Sequence, residues 1–80
     1  MRLSDLKAGQ RIKVTQAFLD FDGQKIAVDS QWTFREYNYF PYDGGYTFYF
    51  GEGVIRLAEI DDANSMVLNS FASFFILLQS

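Results

Sequence analysis

The segment YTFYFGEGVIRLA, residues 46–58, contains the clearest strand pattern in the sequence. A large aromatic residue stands at every second position of Tyr46–Phe50, and this period of two predicts a half-buried β-strand. Gly51–Gly53 favours a tight turn, and the alternation resumes over Ile55–Ala58. We therefore predict two antiparallel strands joined by this turn.

Short strands are also predicted upstream of this segment. Alternating residues mark Arg11–Thr15 and Trp32–Tyr37 as half-buried strands. Between them, Gln16–Leu19 breaks the alternation, as a bulge or a long loop does, and Lys25–Val28 returns antiparallel after a turn at Asp22–Gly23. The first half of the chain is thus predicted to be a series of short antiparallel strands.

The pattern changes after residue 58. Asp61 has a side chain suited to a helix N-cap, and the apolar positions that follow it predict a short helical turn. Phe71–Leu78 then predicts the last strand, in which Phe74–Leu78 provides five consecutive apolar residues. Such a run suits a strand buried on both faces, or one that is covered in a homo-oligomer or by a partner protein.

The order of short strands and tight turns predicts an all-β fold, specifically a small five-stranded SH3-like barrel with one short helical turn before the last strand. Closing the sheet into a barrel would remove its exposed edges. A chain of 80 residues has room for one hydrophobic core. Residues 1–80 are therefore predicted to form a single domain.

The composition excludes the commonest catalytic and metal-binding chemistry. The chain contains neither His nor Cys, so it cannot assemble a histidine-based triad or a typical zinc site. Its carboxylate clusters, at residues 20–22 and 59–62, would need a substrate cleft that so small a barrel scarcely forms. We predict a non-enzymatic protein with no catalytic, cofactor-binding or metal-binding residues.

The charge of the chain disfavours nucleic acid as a partner. The formal net charge is −3, and the seven Lys and Arg residues are scattered rather than gathered into a patch that neutralises phosphates. Residues 1–7 lack the apolar region of a signal peptide, and Phe71–Leu78 is too short to span a bilayer. We expect a cytoplasmic protein with no membrane partner.

Aromatic residues cluster around a predicted loop at Asn38–Gly45. Tyrosine is favoured at protein interfaces, and SH3 domains line their peptide grooves with Tyr, Trp and Pro. The candidate partner-binding residues are Tyr39, Phe40, Tyr42, Asp43 and Tyr46. Two alternatives stay open: the rings simply pack the core, or they stack the bases of a single-stranded nucleic acid.

The motif PYDGGYT at residues 41–47, preceded by Leu6–Gln10 and the Asp20–Gly23 turn, resembles a family of small uncharacterised bacterial proteins. That family is a domain of unknown function with a Pro-Tyr-x-Gly-Gly-Tyr-Thr signature, and the resemblance spans most of the chain. Because no activity is established for the family, the resemblance implies no catalytic residues.

Small size, acidity and an excess of aromatic residues together predict a protein-binding module of unknown partner, acting alone or as a small inhibitor or immunity-type protein. The runner-up is a small barrel that binds single-stranded nucleic acid by stacking bases on the same rings. A binder of small molecules or sugars is a third option.

Overall fold

One antiparallel sheet of five strands organises the chain in the computed structural model, which describes residues 1–42 and 45–78. Two more strands form a separate small hairpin. The strands are β1 (Arg11–Val14), β2 (Phe18–Leu19), β3 (Lys25–Ile26), β4 (Gln31–Phe40), β5 (Gly45–Phe50), β6 (Gly53–Ala58) and β7 (Phe75–Leu78). The helices are a 3-10 helix at Leu3–Asp5, α1 (Asp62–Asn69) and α2 (Phe71–Phe74). The fold is therefore mostly β, as predicted.

The five-stranded sheet is open, so the predicted closed barrel is wrong, and the SH3-like topology is not confirmed. Its strands lie in the order β6-β5-β4-β1-β7, and the edge strands β6 and β7 are not paired with each other. The β2–β3 hairpin lies beside β6 instead, where the Phe21 N–H donates a hydrogen bond of 2.7 Å to the Arg56 carbonyl. The Gln24 side chain donates another, of 3.1 Å, to the Val54 carbonyl. Because these carbonyls already have partners, the β6 edge is satisfied without β7.

The turn of the β2–β3 hairpin is built around a buried carboxylate. Asp20 is 6% exposed and accepts hydrogen bonds from the backbone N–H groups of Asp22, at 3.0 Å, and Gln24, at 2.8 Å. Gly23 has a φ of +80°, a left-handed conformation that glycine adopts without strain. The predicted turn at Asp22–Gly23 is confirmed, and the Asp20 carboxylate is occupied in holding it.

The helical segment after β6 is longer than the single turn that the sequence predicts. Asp61 caps α1, as predicted, by accepting a hydrogen bond of 3.0 Å from the Asn64 N–H. Phe71 and Phe74 both face the core from α2, and their spacing of three residues suits a helical turn. The predicted strand over Phe71–Leu78 is therefore shortened to β7.

A buried asparagine fastens α1 to the sheet. Asn64 is 2% exposed, and its side-chain oxygen accepts a hydrogen bond of 3.1 Å from the Ala58 N–H. Its side-chain nitrogen donates one of 3.1 Å to the Leu19 carbonyl. Since an unpaired buried polar group costs about 1–3 kcal/mol, these bonds fix the helix against β6 and β2.

The hydrophobic core lies between one face of the sheet and the helices. Every strand of the five-stranded sheet and all three helices contribute to it. The buried core residues are Leu3, Leu6, Ile12, Val14, Ile26, Phe34, Phe48, Phe50, Ile55, Leu57, Val67, Leu68, Phe71, Phe74 and Phe75. The aromatic residues of β4 and β5 thus enter the core only in part, because Phe34, Phe48 and Phe50 belong to it and the tyrosines do not.

Candidate functional site

The predicted aromatic loop is instead the end of a long β-hairpin. β4 continues through Phe40, β5 begins at Gly45, and these two residues are the last pair in the register. The predicted loop at Asn38–Gly45 is therefore too long. Tyrosine and phenylalanine favour strands, and the paired rings of Tyr39 and Tyr46 lie 4.8 Å apart, a cross-strand contact that stabilises the hairpin.

A β-bulge decides which aromatic rings share a face. The β4–β5 register shifts between Phe34 and Glu36, so the side chains beyond this point change face relative to strict alternation. Tyr37 then pairs with Phe48, and Tyr39 with Tyr46. As a result, the tyrosines of β4 lie on the same face as the core residue Phe34.

The tyrosine rings on this face extend outward from the core residue Phe48, and we call them the tyrosine face, consisting of Tyr37, Tyr39 and Tyr46. The ring centroids of Tyr37 and Tyr46 lie 5.8 Å apart, and the Tyr46 ring stacks on Phe48 at 5.6 Å with an interplanar angle of 11°. Tyr37 is 39% exposed and Tyr39 is 43% exposed. The tyrosine face is therefore a packed but solvent-facing extension of the core.

The structure separates the predicted partner-binding residues into different places. Tyr39 and Tyr46 lie together on the tyrosine face, while Phe40 points to the opposite face of the hairpin, where it lines a small cavity with Phe21. Tyr42 lies in the turn and is fully exposed. Asp43 lies outside the described residues. The predicted set is thus not one surface, although its tyrosines lie near one end of the hairpin.

A polar groove borders the tyrosine face. Its volume is about 340 Å³, and it lies between the hairpin and α1. The lining residues are Arg2, Tyr46, Glu59, Ser65, Leu68 and Asn69. The negative charge of Glu59, aided by partial burial and by Tyr46, raises the pKa of the Tyr39 phenol above its ordinary value. A carboxylate therefore lies close enough to influence the exposed rings.

Sequence reasoning missed several residues of this region. Tyr37 stands two residues before Tyr39, and this spacing would place both on one face of a strand if the strand were extended through residue 40. Glu59 and Arg2 have no such signal, because they come from the end of β6 and from the N-terminus, and only the fold places them beside the hairpin. The groove is therefore a product of the tertiary structure.

The described residues offer little support for other kinds of site. Within residues 1–42 and 45–78, no group of three or more acidic side chains could hold a metal ion. Across the same residues, no helix is long and apolar enough to cross a membrane. What the hairpin can provide is a rigid surface of rings with hydroxyl groups at its edge, next to one carboxylate.

The fold is similar to that of a solved structure, an integron cassette protein from the mobile metagenome of Vibrio cholerae. The two chains superpose with a TM-score of 0.84 at 26% sequence identity, over 96% of this chain and 97% of the other. No protein-family model matches this chain, and no curated protein matches it either. The family resemblance of the PYDGGYT motif accordingly stays a prediction, while the overall architecture is shared with the cassette protein.

Proposed function

We propose that this chain is a non-enzymatic protein-binding module whose contact surface is the tyrosine face, extended at the hairpin turn by Tyr42. The observation that carries the proposal is that Tyr37 and Tyr39 continue the row of core rings beyond the core, where they remain 39% and 43% exposed. Small size and a net charge of −3 agree with a small inhibitor or immunity-type protein that occupies a partner's surface.

The packing of these rings suits a protein interface. Tyrosine offers a large contact area at a small cost in side-chain entropy and carries a hydroxyl group for hydrogen bonds. Here the rings of Tyr37, Tyr39 and Tyr46 already hold one another at centroid distances of 4.8 Å to 5.8 Å. A partner would therefore meet a surface that is largely ordered before binding, which reduces the entropic cost of association.

The alternative of single-stranded nucleic acid has less support. Base stacking on such rings needs neighbouring cations that follow the phosphate backbone. The groove beside the tyrosine face provides Arg2, but it also provides Glu59, whose charge reaches Tyr39. A salt titration with a short single-stranded oligonucleotide separates the two functions, because our proposal expects no binding even at low ionic strength.

A pair of adjacent substitutions tests the proposed surface. Tyr39 and Phe40 are 43% and 48% exposed but lie on opposite faces of β4. We expect Tyr39→Ser to lose the partner captured from a lysate of the native host, and Phe40→Ser to retain it. Circular dichroism checks that both variants are folded. Capture that survives Tyr39→Ser, or that is lost only in Phe40→Ser, would place the contact surface elsewhere.

The C-terminal strand carries a separate proposal, that copies of this chain associate through β7. This strand is an edge of the sheet, and Ile76 and Leu77 are 46% and 45% exposed. In contrast to the β6 edge, β7 carries no charged residue or proline, the usual devices against edge pairing. Sedimentation of the intact chain and of Ile76→Lys tests the idea, because a monomer in both cases would refute it.

A further inference from the structure

The groove beside the tyrosine face has one acidic and one basic side chain in its lining, Glu59 and Arg2. Glu59 lines the groove together with Tyr46, and its charge acts on Tyr39. Arg2 is the one basic residue among the groove-lining side chains within the described part of the chain. The chain as a whole has a net charge of −3. Because Glu59 lies beside the rings themselves, the ring-lined part of the groove is suited to a positively charged ligand group.

The rings favour the same kind of ligand. The face of an aromatic ring is electron-rich and attracts an ammonium or guanidinium group placed within about 6 Å of its centre. Tyr39 and Tyr46 lie side by side at 4.8 Å, so their exposed surfaces form a shared platform next to Glu59. The raised pKa of the Tyr39 phenol reflects the closeness of that carboxylate.

We infer that the tyrosine face binds a basic segment of its partner protein, with an arginine or lysine side chain packed on Tyr39 and Tyr46 and paired with the Glu59 carboxylate. This inference rests on the proposed function and specifies the chemistry of the partner. The groove of about 340 Å³ falls near the lower end of the volumes of small-ligand sites, about 300–1,000 Å³. It therefore has room for one long side chain rather than a whole folded element.

The experiment uses the intact chain and a defined probe, a tetra-arginine peptide with blocked termini. We expect saturable changes in the amide NMR spectrum that are confined to residues of the tyrosine face and of the groove, with none from a tetra-glutamate peptide. Glu59→Gln should weaken tetra-arginine binding about tenfold, as expected for the loss of a charge-assisted contact. Glu36→Gln is the matched control, because Glu36 is an exposed carboxylate on the opposite face of the same hairpin.

Three outcomes would overturn the inference. One is binding that spreads over the acidic surface and weakens equally in both glutamine variants, which indicates unspecific attraction. Another is a tyrosine face that responds to an oligothymidine of ten nucleotides but not to tetra-arginine. If the native partner is still lost in Tyr39→Ser while tetra-arginine does not bind, the basic anchor is wrong and the protein-binding function stands.

Discussion

The aromatic rings on β4 and β5 have an inner and an outer half that differ in burial, although the rings of both halves lie within contact distance of their neighbours. In the inner half, the Phe34 and Phe50 centroids lie 5.8 Å apart and both residues are buried. In the outer half, Tyr37 and Tyr46 lie at the same 5.8 Å, yet Tyr37 is 39% exposed. Ring contacts alone therefore do not distinguish residues that hold the fold from residues that are free to meet a partner.

The chemistry of the rings follows the same division. The side chains of the inner residues Phe34, Phe48 and Phe50 have no polar atoms and lie in the core. The outer residues are tyrosines, whose hydroxyl groups suit a surface that is half apolar and half wet. We therefore expect substitutions of the inner rings to affect mainly the stability of the fold, and substitutions of the outer rings to affect mainly the binding of a partner.

The largest effect on stability is expected for Phe48→Ala. Phe48 is 0% exposed, so its truncation removes buried area and leaves a cavity, at a cost of about 3–5 kcal/mol. Urea unfolding followed by circular dichroism measures this loss. A loss below about 1 kcal/mol, the average for point substitutions in general, would mean that the inner half is not the centre of the core.

Tyr46→Ala should have an intermediate effect. Tyr46 is half-buried, and its ring contacts those of Tyr37, Tyr39 and Phe48. Part of its area and its ring packing would be lost, so we expect a decrease of about 1–2 kcal/mol in the free energy of unfolding. The same urea titration measures this decrease, and an intermediate value would place Tyr46 at the boundary between the inner and outer halves. A loss equal to that of Phe48→Ala would remove the distinction between the two halves.

The smallest effect is expected for Tyr39→Ala. Its ring is 43% exposed and lies at the end of the hairpin, where it contacts the Tyr46 ring at 4.8 Å, so the loss of this cross-strand contact should lower the free energy of unfolding by about 0.5–1 kcal/mol. Tyr49→Ala, on the opposite face of β5, serves as the comparison. If Tyr39→Ala unfolds the hairpin, the outer half is structural and its exposure has no functional meaning.

A pH titration of Tyr39 provides a further test of the outer half, and this test does not depend on stability at neutral pH. The Glu59 carboxylate raises the pKa of the Tyr39 phenol, so this tyrosine should ionise above the ordinary value of about 10. Because this pKa is raised, the contribution of the neutral Tyr39 phenol to stability is complete below the pKa that Tyr39 has in the unfolded chain. The contribution is lost as the pH rises through the pKa that Tyr39 has in the folded chain. The ultraviolet absorbance of tyrosinate measures the pKa of Tyr39, and Glu59→Gln should return this pKa towards its ordinary value.

Local patterns predicted the elements that depend on neighbouring residues. Alternation over Tyr46–Phe50 gave β5, the glycines at Gly51–Gly53 gave the turn into β6, and Asp61 gave the cap of α1. Each of these depends on backbone preferences within a few residues. The same reasoning extended the final strand too far, because Phe71 and Phe74 fit a helical turn as well as an apolar strand.

The features that define the candidate site depend on contacts between distant residues. The bulge between Phe34 and Glu36 has no signal in the local sequence, yet it moves Tyr37 to the core face. The open sheet results from the β2–β3 hairpin bonding to β6 through Phe21. The approach of Glu59 to the rings likewise follows from the packing of the chain. Sequence therefore located the aromatic residues but not the face that they share.

Chemical footprinting of the captured complex tests the central claim most directly. Tyrosines of the free chain and of the chain bound to its partner are nitrated with tetranitromethane, and the modified positions are identified by mass spectrometry. Our account predicts that Tyr37 and Tyr39 become protected in the complex, whereas Tyr49 on the opposite face keeps the reactivity that it has in the free chain. Equal nitration of Tyr37 and Tyr39 in the free and bound states would contradict the assignment of the tyrosine face as the binding surface.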